Sequence, residues 1–116
     1  MDYSHEDVVL ANVRYHDAIA EQYETDASTL GMFEEGAGSK KRIENVLRFV
    51  AGKVGHGGLL DIGCGTGNVM EVASGFFSDV RGVDVSDGML EVARKKGLTV
   101  SHADASSLPY VDGSFD

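Results

Sequence analysis

Three glycines and an acid lie close together in the stretch LLDIGCGTGNVM, residues 59–70. Gly63, Gly65 and Gly67 alternate with other residues, and Asp61 precedes them at the end of a short apolar segment. Glycine has no Cβ atom, so its backbone can adopt positive φ and approach a ligand closely. A helix that follows such a turn offers unpaired backbone N–H groups at its start. The stretch is therefore either a tight structural turn or a place where a ligand contacts the backbone.

The spacing of these glycines distinguishes between classes of ligand. A dinucleotide-binding turn requires G-x-G-x-x-G, but Asn68 and Met70 occupy the positions where its last glycine would stand. A P-loop requires Gly-Lys-Ser/Thr, and no lysine follows here. Asp61 would repel a pyrophosphate, whereas it suits a ligand with positive charge. The glycine spacing therefore disfavours a nicotinamide-dependent oxidoreductase.

Two further acids, Asp84 and Asp104, follow the next two apolar segments of the chain. Asp84 comes about 20 residues after Gly63, near the offset at which an acid binds a ribose diol in dinucleotide folds. The carboxyl ends of parallel strands meet at one edge of a sheet, where such folds bind their ligands. We therefore expect Asp61, Asp84 and Asp104 to lie at one edge and to belong to one binding site.

Short apolar segments alternate with helical ones from residue 58 onward. Strands are predicted over 58–63, 79–86 and 98–103. A helix extending to Phe76 follows the first strand, and a helix capped by Ser86 or Asp87 follows the second. This alternation predicts an α/β fold, a Rossmann-like parallel sheet with helices on both faces.

The part of the chain before the first strand is predicted to be helical. Residues 6–25 contain no Gly or Pro and have amphipathic spacing, which indicates a helix. We expect residues 1–55 to form N-terminal helices that serve as a lid, and residues 56–116 to form the binding core.

Composition excludes several function classes. The 116 residues suffice for one domain, and 42% hydrophobic and 25% charged residues are typical of globular proteins. A net charge of −9 disfavours nucleic acid as a partner. No apolar run approaches the roughly 20 residues of a membrane span, so we expect no membrane partner and a cytoplasmic location. Cys64 is the only cysteine and the four histidines are scattered, so no metal site is expected.

Residues 15–116 resemble the class I S-adenosylmethionine-dependent methyltransferases, in particular the small-molecule, methyltransferase type 11-like branch. The segments LLDIGCGTG, GVDVSDGMLEVAR and HADASSLPYVDGSFD carry this resemblance. It implies S-adenosylmethionine as cofactor, S-adenosylhomocysteine as product and a small molecule as methyl acceptor. The alternative is a non-catalytic module that binds either compound and needs a partner or a further segment. No catalytic residue is identified.

The resemblance also implies roles for residues around the methionine part of the cofactor. The turn beneath it would be built by Gly63, Cys64, Gly65 and Gly67. Asp61 would lie near its amino group, and Tyr23 of the N-terminal helix would cover it. His16, in the same helix, is the one histidine that could serve as an acid–base group.

The adenosine part would be bound by residues that follow the second and third strands. Asp84 would accept hydrogen bonds from both ribose hydroxyls, and Val85 and Met89 would sandwich the adenine ring. Asp104 would accept from the adenine amino group, with the N–H of Ala105 facing the ring.

In the family, the segment GSFD leads into a fourth strand that pairs with the first. On this resemblance, we expect a domain truncated after about three strands, with acceptor residues beyond Asp116. The first strand would then have an open edge. We expect either association of two copies through this edge or marginal stability.

Overall fold

The structure is a computed structural model that describes residues 2–23 and 38–116. Its elements, in chain order, are α1 (His5–Tyr23), α2 (Gly38–Val54), β1 (Gly58–Ile62), α3 (Asn68–Ala73), β2 (Asp79–Asp84), α4 (Asp87–Lys95) and β3 (Thr99–His102). Helix α1 corresponds to the helix predicted over 6–25, whose last two residues lie outside the described part. The three predicted strands are all present, each shorter than predicted.

Helix α3 ends earlier than the apolar spacing predicts. It stops at Ala73, where Ser74 donates from both its backbone N–H and its hydroxyl to the carbonyl of Met70. The prediction of a helix reaching Phe76 is therefore wrong, because the N–H groups of Gly75 and Phe76 donate to carbonyls only three residues back, in a tighter final turn. Phe76 nevertheless packs beside the core, next to the buried Phe77.

The three strands form one parallel sheet in the order β1-β2-β3. In its register, Asp61 is paired with Gly82 and Asp84 with His102. Each connection between neighbouring strands contains a helix, as parallel pairing requires. The predicted α/β class and parallel sheet are confirmed.

One face of the sheet carries the core. Leu59, Val80 and Val100 point to this face, because side chains alternate along strands and the register pairs β1 with β2 and β2 with β3. Helices α2 and α3 meet there in a cluster of Leu47, Ala51, Ala73 and Phe77. Helices α3 and α4 meet there in a second cluster of Cys64, Met70 and Leu90. Of the two helix layers predicted, residues 38–116 therefore form one.

Helix α1 lies against α4 and reaches the carboxyl ends of the strands. Its buried residue Ala20 approaches Gly88, and its first residue, His5, approaches Asp104 beyond β3. No helix among the described residues is long and apolar enough to cross a membrane.

The start of β1 has a second neighbour besides β2. The N–H of Asp116 donates to the carbonyl of Gly58, and the N–H of Gly58 donates to a carboxylate oxygen of Asp116, both at 2.9 Å. The Phe115 ring packs near Gly58 and makes an edge-to-face contact with Tyr110. The edge of β1 is thus partly covered by the segment that follows Tyr110.

Candidate ligand-binding site at the carboxyl ends of the strands

The turn after β1 is fixed to the neighbouring strand. The backbone N–H groups of Gly63 and Cys64 both donate to the carbonyl of Val83, at 2.8 and 3.0 Å. Gly82 makes room for this approach, because a Cβ atom there would lie 2.8 Å from the Cβ and Sγ of Cys64. The turn therefore rests on β2 at a position where the sequence has a glycine.

All three glycines of the turn have positive φ, at 75° for Gly63, 56° for Gly65 and 87° for Gly67. Their surroundings differ. A Cβ atom on Gly63 or Gly65 would meet nothing within 4 Å, whereas one on Gly67 would overlap Leu98 and lie 3.6 Å from the Cβ of Ala93. Gly63 and Gly65 therefore leave open space above the backbone, and Gly67 allows α3 to pack against the segment after α4.

Asp84 connects this turn with the start of α4. One oxygen of its carboxylate accepts from the N–H of Gly65 at 2.8 Å, and the other accepts from the N–H of Ser86 at 2.9 Å. Ser86, only 1% exposed, caps α4 by accepting from the N–H of Met89. The carboxylate is held in place before any ligand binds.

Asp61 lies close enough to Asp84 for the two charges to interact. Burial and the negative charge of Asp84 both raise the pKa of Asp61 above its ordinary value of 3.8. Burial, followed by the charges of Asp61 and Asp84, raises the pKa of the Cys64 thiol to about 12. The site therefore concentrates negative charge, which a cationic group on a ligand would relieve.

Two adjoining cavities open at this edge of the sheet, and Gly63 and Asp84 line both. The turn cavity, of about 220 Å³, is lined by His16, Tyr23, Asp61, Gly63, Cys64, Gly65, Thr66, Asn68, Val69, Asp84 and Met89. The edge cavity, of about 320 Å³, is lined by Val9, Asn12, Ile62, Gly63, Asp84, Val85, Ala103, Asp104 and Ala105. Helix α1 contributes to both and so covers the edge at which the strands end.

The acid beyond β3 is in a different environment. Asp104 accepts hydrogen bonds from both the N–H and the hydroxyl of Ser106, and these bonds lower its pKa. The Nε2 atom of His5 lies 3.5 Å from its carboxylate. Asp104 is therefore half-buried and paired within its own loop and with the start of α1.

The structure brings together ten of the eleven residues predicted to bind a cofactor. Tyr23, Cys64 and Met89 line the turn cavity, Val85 and Ala105 line the edge cavity, and the acids and the first two glycines lie as described above. Gly67 lines neither cavity. His16 lines the turn cavity while its Nδ1 atom is 2.8 Å from the carbonyl of Asn12.

Sequence reasoning missed several lining residues. Val9 and Asn12 face the edge cavity, and Thr66 and Asn68 face the turn cavity. For Thr66 a signal existed, since it is the small polar residue between two glycines of the turn. For Val9 and Asn12 there was none, because only the docking of α1 brings them to the site.

The chemistry of the described lining residues favours an organic ligand over a metal ion. In residues 2–23 and 38–116 no three His, Cys, Asp or Glu side chains are grouped to bind a metal ion. The turn cavity offers two carboxylates and open glycine backbone, while Met89 and the edge cavity add apolar surface. Such a lining suits a ligand with a cationic end, hydroxyl groups and a flat apolar ring.

Comparisons with known proteins agree with this picture. Residues 60–116 match the family model of a methyltransferase domain. A demethylmenaquinone methyltransferase from Staphylococcus aureus strain MRSA252 is 40% identical over 65 residues, which are 49% of this chain and 27% of that protein. The chain thus spans about a quarter of the length of this curated relative.

Solved structures extend the similarity to the fold. The cyclase SpnF matches with a TM-score of 0.67 and 28% identity, over 93% of this chain and 47% of its own. An S-adenosylmethionine-dependent methyltransferase from Clostridium acetobutylicum matches with a TM-score of 0.57 and 25% identity, over 88% of this chain and 42% of its own. Taken with the glycine turn and the acids at the strand ends, these matches show that residues 60–116 are similar to the cofactor-binding part of class I S-adenosylmethionine-dependent methyltransferases.

Proposed function

We propose that this chain binds S-adenosylmethionine and is the cofactor-binding part of an enzyme that methylates a small molecule. The observation that carries the proposal is the hydrogen bond between the glycine turn and Asp84, in which the N–H of Gly65 donates to the carboxylate at 2.8 Å. This bond places a fixed acid beside open glycine backbone, in a cavity that also contains Asp61.

The residues present fit this cofactor. Gly63 and Gly65 leave space that a Cβ atom would fill, so the methionine part could lie against their backbone. Asp61, whose pKa is raised by burial and by Asp84, would regain its favoured ionised state beside an ammonium group. Each Asp84 oxygen accepts one backbone N–H, and a carboxylate oxygen has a second lone pair available for a ribose hydroxyl.

The adenine end would lie in the edge cavity. Val85 and Ala105 supply apolar surface there, and Asp104 could accept from an amino group. Met89, 1% exposed, lies at the border of the turn cavity and would support the other face of the ring. These roles for individual residues stay predictions.

S-adenosylmethionine supplies a methyl group that is already activated on a sulfonium. The protein's task is therefore to align the acceptor and exclude water. In this chain, Asp61 and Asp84 would orient the cofactor, while Tyr23 and His16 of α1 lie where they could cover the turn cavity. A general base is needed only for an acceptor that starts protonated, and His16 is the one lining histidine.

Calorimetric titration of the 116-residue chain with S-adenosylhomocysteine tests this proposal. We expect saturable binding of S-adenosylhomocysteine and no binding of NAD⁺. Gly65→Ala should weaken binding more than tenfold, because its Cβ would fill the space above the turn.

Gly113→Ala is the matched control, since Gly113 also has positive φ (75°) and open space around it but lies outside both cavities. Both substitutions strain the backbone, so both should lower stability by about 1 kcal/mol. Only Gly65→Ala should change affinity. Equal affinity losses in the two variants, or binding of NAD⁺ in place of S-adenosylhomocysteine, would overturn the proposal.

A second function, binding without methyl transfer, is favoured by one comparison. The similar structure SpnF is a cyclase, so this fold also occurs in proteins that carry out a different reaction. Methyl transfer to a small-molecule acceptor by a longer form of the protein would distinguish the two. The division at residues 55–56, the lack of a nucleic-acid partner and the association of two copies at the β1 edge stay predictions.

A further inference from the structure

One carboxylate of α1 makes two hydrogen bonds to the start of α4. One oxygen of Asp17 accepts from the hydroxyl of Ser86 at 2.6 Å and from the N–H of Gly88 at 2.8 Å. Asp17 and Ser86 are 69 residues apart in the chain, so the contact is a tertiary one. These two hydrogen bonds lower the pKa of Asp17, so the carboxylate is ionised at neutral pH.

The helix start that receives Asp17 is shaped for this contact. A Cβ atom on Gly88 would lie 3.0 Å from both the Cα and the Oδ1 of Asp17, and 3.3 Å from the Cβ of Ala20. Any side chain at position 88 would therefore push α1 away. Gly88 is the second residue of α4, and its missing side chain is what allows the close approach of α1.

Ser86 connects this contact with the ligand-binding acids. Its hydroxyl caps α4 by accepting from the N–H of Met89. Its own N–H donates to Asp84, whose second oxygen accepts from Gly65. A continuous set of hydrogen bonds thus runs from α1 through Ser86 to Asp84 and the glycine turn.

On both sides of Asp17, α1 supplies residues to the cavities. Val9 and Asn12 line the edge cavity, and His16 and Tyr23 line the turn cavity. Asp17 lies within this stretch of the helix, directly after His16 and before Tyr23. Releasing it would therefore loosen both parts of the cover together.

We propose that Asp17 is a positioning residue that fastens α1 over the two cavities and controls how long a bound adenosyl ligand stays. The inference rests on the proposed function for the identity of the ligand. The fastening of α1 itself can be measured without any ligand. Asp17 acts through Ser86 and Gly88 and does not line either cavity.

The test compares four variants of the 116-residue chain. Asp17→Ala removes both hydrogen bonds, whereas Asp17→Asn keeps a side-chain oxygen that can accept them. Gly88→Ala leaves Asp17 and Ser86 unchanged but displaces α1. Glu21→Ala is the matched control, because it removes an exposed carboxylate from the same helix.

The first readout is hydrogen exchange of the ligand-free chain. Asp17→Ala and Gly88→Ala should speed exchange of α1 amides about tenfold over the wild type, while the β-strand amides are unchanged. Asp17→Asn and Glu21→Ala should stay within about threefold of the wild type. These values follow from hydrogen bonds to a charged group and the conversion of 1.4 kcal/mol to tenfold.

The second readout is the rate at which S-adenosylhomocysteine dissociates in stopped-flow displacement. Asp17→Ala and Gly88→Ala should release it about tenfold faster, and Asp17→Asn should restore slow release. A structural role alone would lower the thermal midpoint of the variants without changing the release rate in this pattern.

The two proposals fail in different ways. If the wild type does not bind S-adenosylhomocysteine, the proposed function is wrong, and exchange of the α1 amides still decides whether Asp17 fastens the helix. If the wild type binds but Asp17→Ala and Glu21→Ala behave alike in exchange and release, the role of Asp17 is wrong. If Asp17→Ala does not fold, Gly88→Ala and Asp17→Asn decide in the same way.

Discussion

The acids at the strand ends have different surroundings in the two cavities, and their pKa values are shifted in opposite directions. In the turn cavity, Asp61 and Asp84 are partly buried near each other, and the pKa of Asp61 is raised. In the edge cavity, Asp104 is satisfied by Ser106 of its own loop, and its pKa is lowered. The ionised form of Asp61 is therefore kept at a cost in stability, whereas hydrogen bonds stabilise the ionised form of the half-buried Asp104.

This difference indicates where ligand recognition should be concentrated. A partly buried carboxylate whose ionised form is disfavoured is stabilised most by a cationic group, because water screens their interaction poorly. A carboxylate that already accepts hydrogen bonds from its own loop exchanges one set of bonds for another and gains little. We therefore expect the turn cavity to supply most of the affinity and the edge cavity to contribute mainly orientation.

The largest expected effect separates Asp84 from Asp104. Asp84→Asn should weaken binding of S-adenosylhomocysteine about 100-fold, because an amide cannot accept from both Gly65 and Ser86 while also binding a ribose. Asp104→Asn should weaken it only about threefold. Calorimetric titration of both variants measures the two values side by side.

Asp104→Asn is also the matched control for this comparison, since it makes the same chemical change at the next strand end. Circular dichroism should show that both variants keep their helices. Equal losses of affinity would mean that the two strand-end acids do not differ in the way that their environments suggest.

A second effect concerns stability and has the opposite sign. Asp61→Asn should raise the thermal midpoint by a few degrees at neutral pH, because it removes a charge that burial and Asp84 disfavour. The same variant should bind S-adenosylmethionine more weakly, since it loses the partner for a cationic group. Differential scanning calorimetry and titration measure the two changes.

The pH dependence of this gain follows from the raised pKa of Asp61. The folded state holds the Asp61 proton more tightly than the unfolded state, so ionisation of Asp61 costs stability as pH rises from 3.8 through the raised value. The advantage of Asp61→Asn should be absent below pH 3.8 and full above the raised pKa. An advantage that is constant across this range, or a loss of stability, would contradict the description of Asp61.

Much of this site could be predicted from the sequence because its main parts are local or periodic. The turn at residues 63–67 follows directly from its glycines, and the acids share an edge because parallel strands place their carboxyl ends together. Because all three glycines look alike in sequence, the pattern predicts the same ligand contact for Gly67 as for Gly63 and Gly65. Only the structure shows that Leu98, which follows α4, occupies the space beside it.

The contributions of α1 could not be predicted in the same way. Amphipathic spacing indicates that residues 5–23 form a helix, but not which neighbour its buried face meets. Asp17 and Ser86 are 69 residues apart in the chain, and no local sequence pattern predicts their contact. The second helix layer expected from the fold class likewise requires packing partners that the described residues do not supply.

The smallest expected effect uses Cys64 as a reporter of the same difference between the cavities. Its thiol has a pKa raised to about 12, first by burial and then by the charges of Asp61 and Asp84. Only the thiolate reacts with iodoacetamide, so alkylation at pH 8 should be slow until the chain is unfolded in guanidinium. Asp61→Asn should speed alkylation of the folded chain about twofold to threefold by removing one of these charges, whereas Asp104→Asn should leave the rate unchanged. Intact-mass spectrometry over time measures both rates. If Asp104→Asn speeds the reaction as much as Asp61→Asn, the thiol is responding to a general loosening of the site and not to its buried acids.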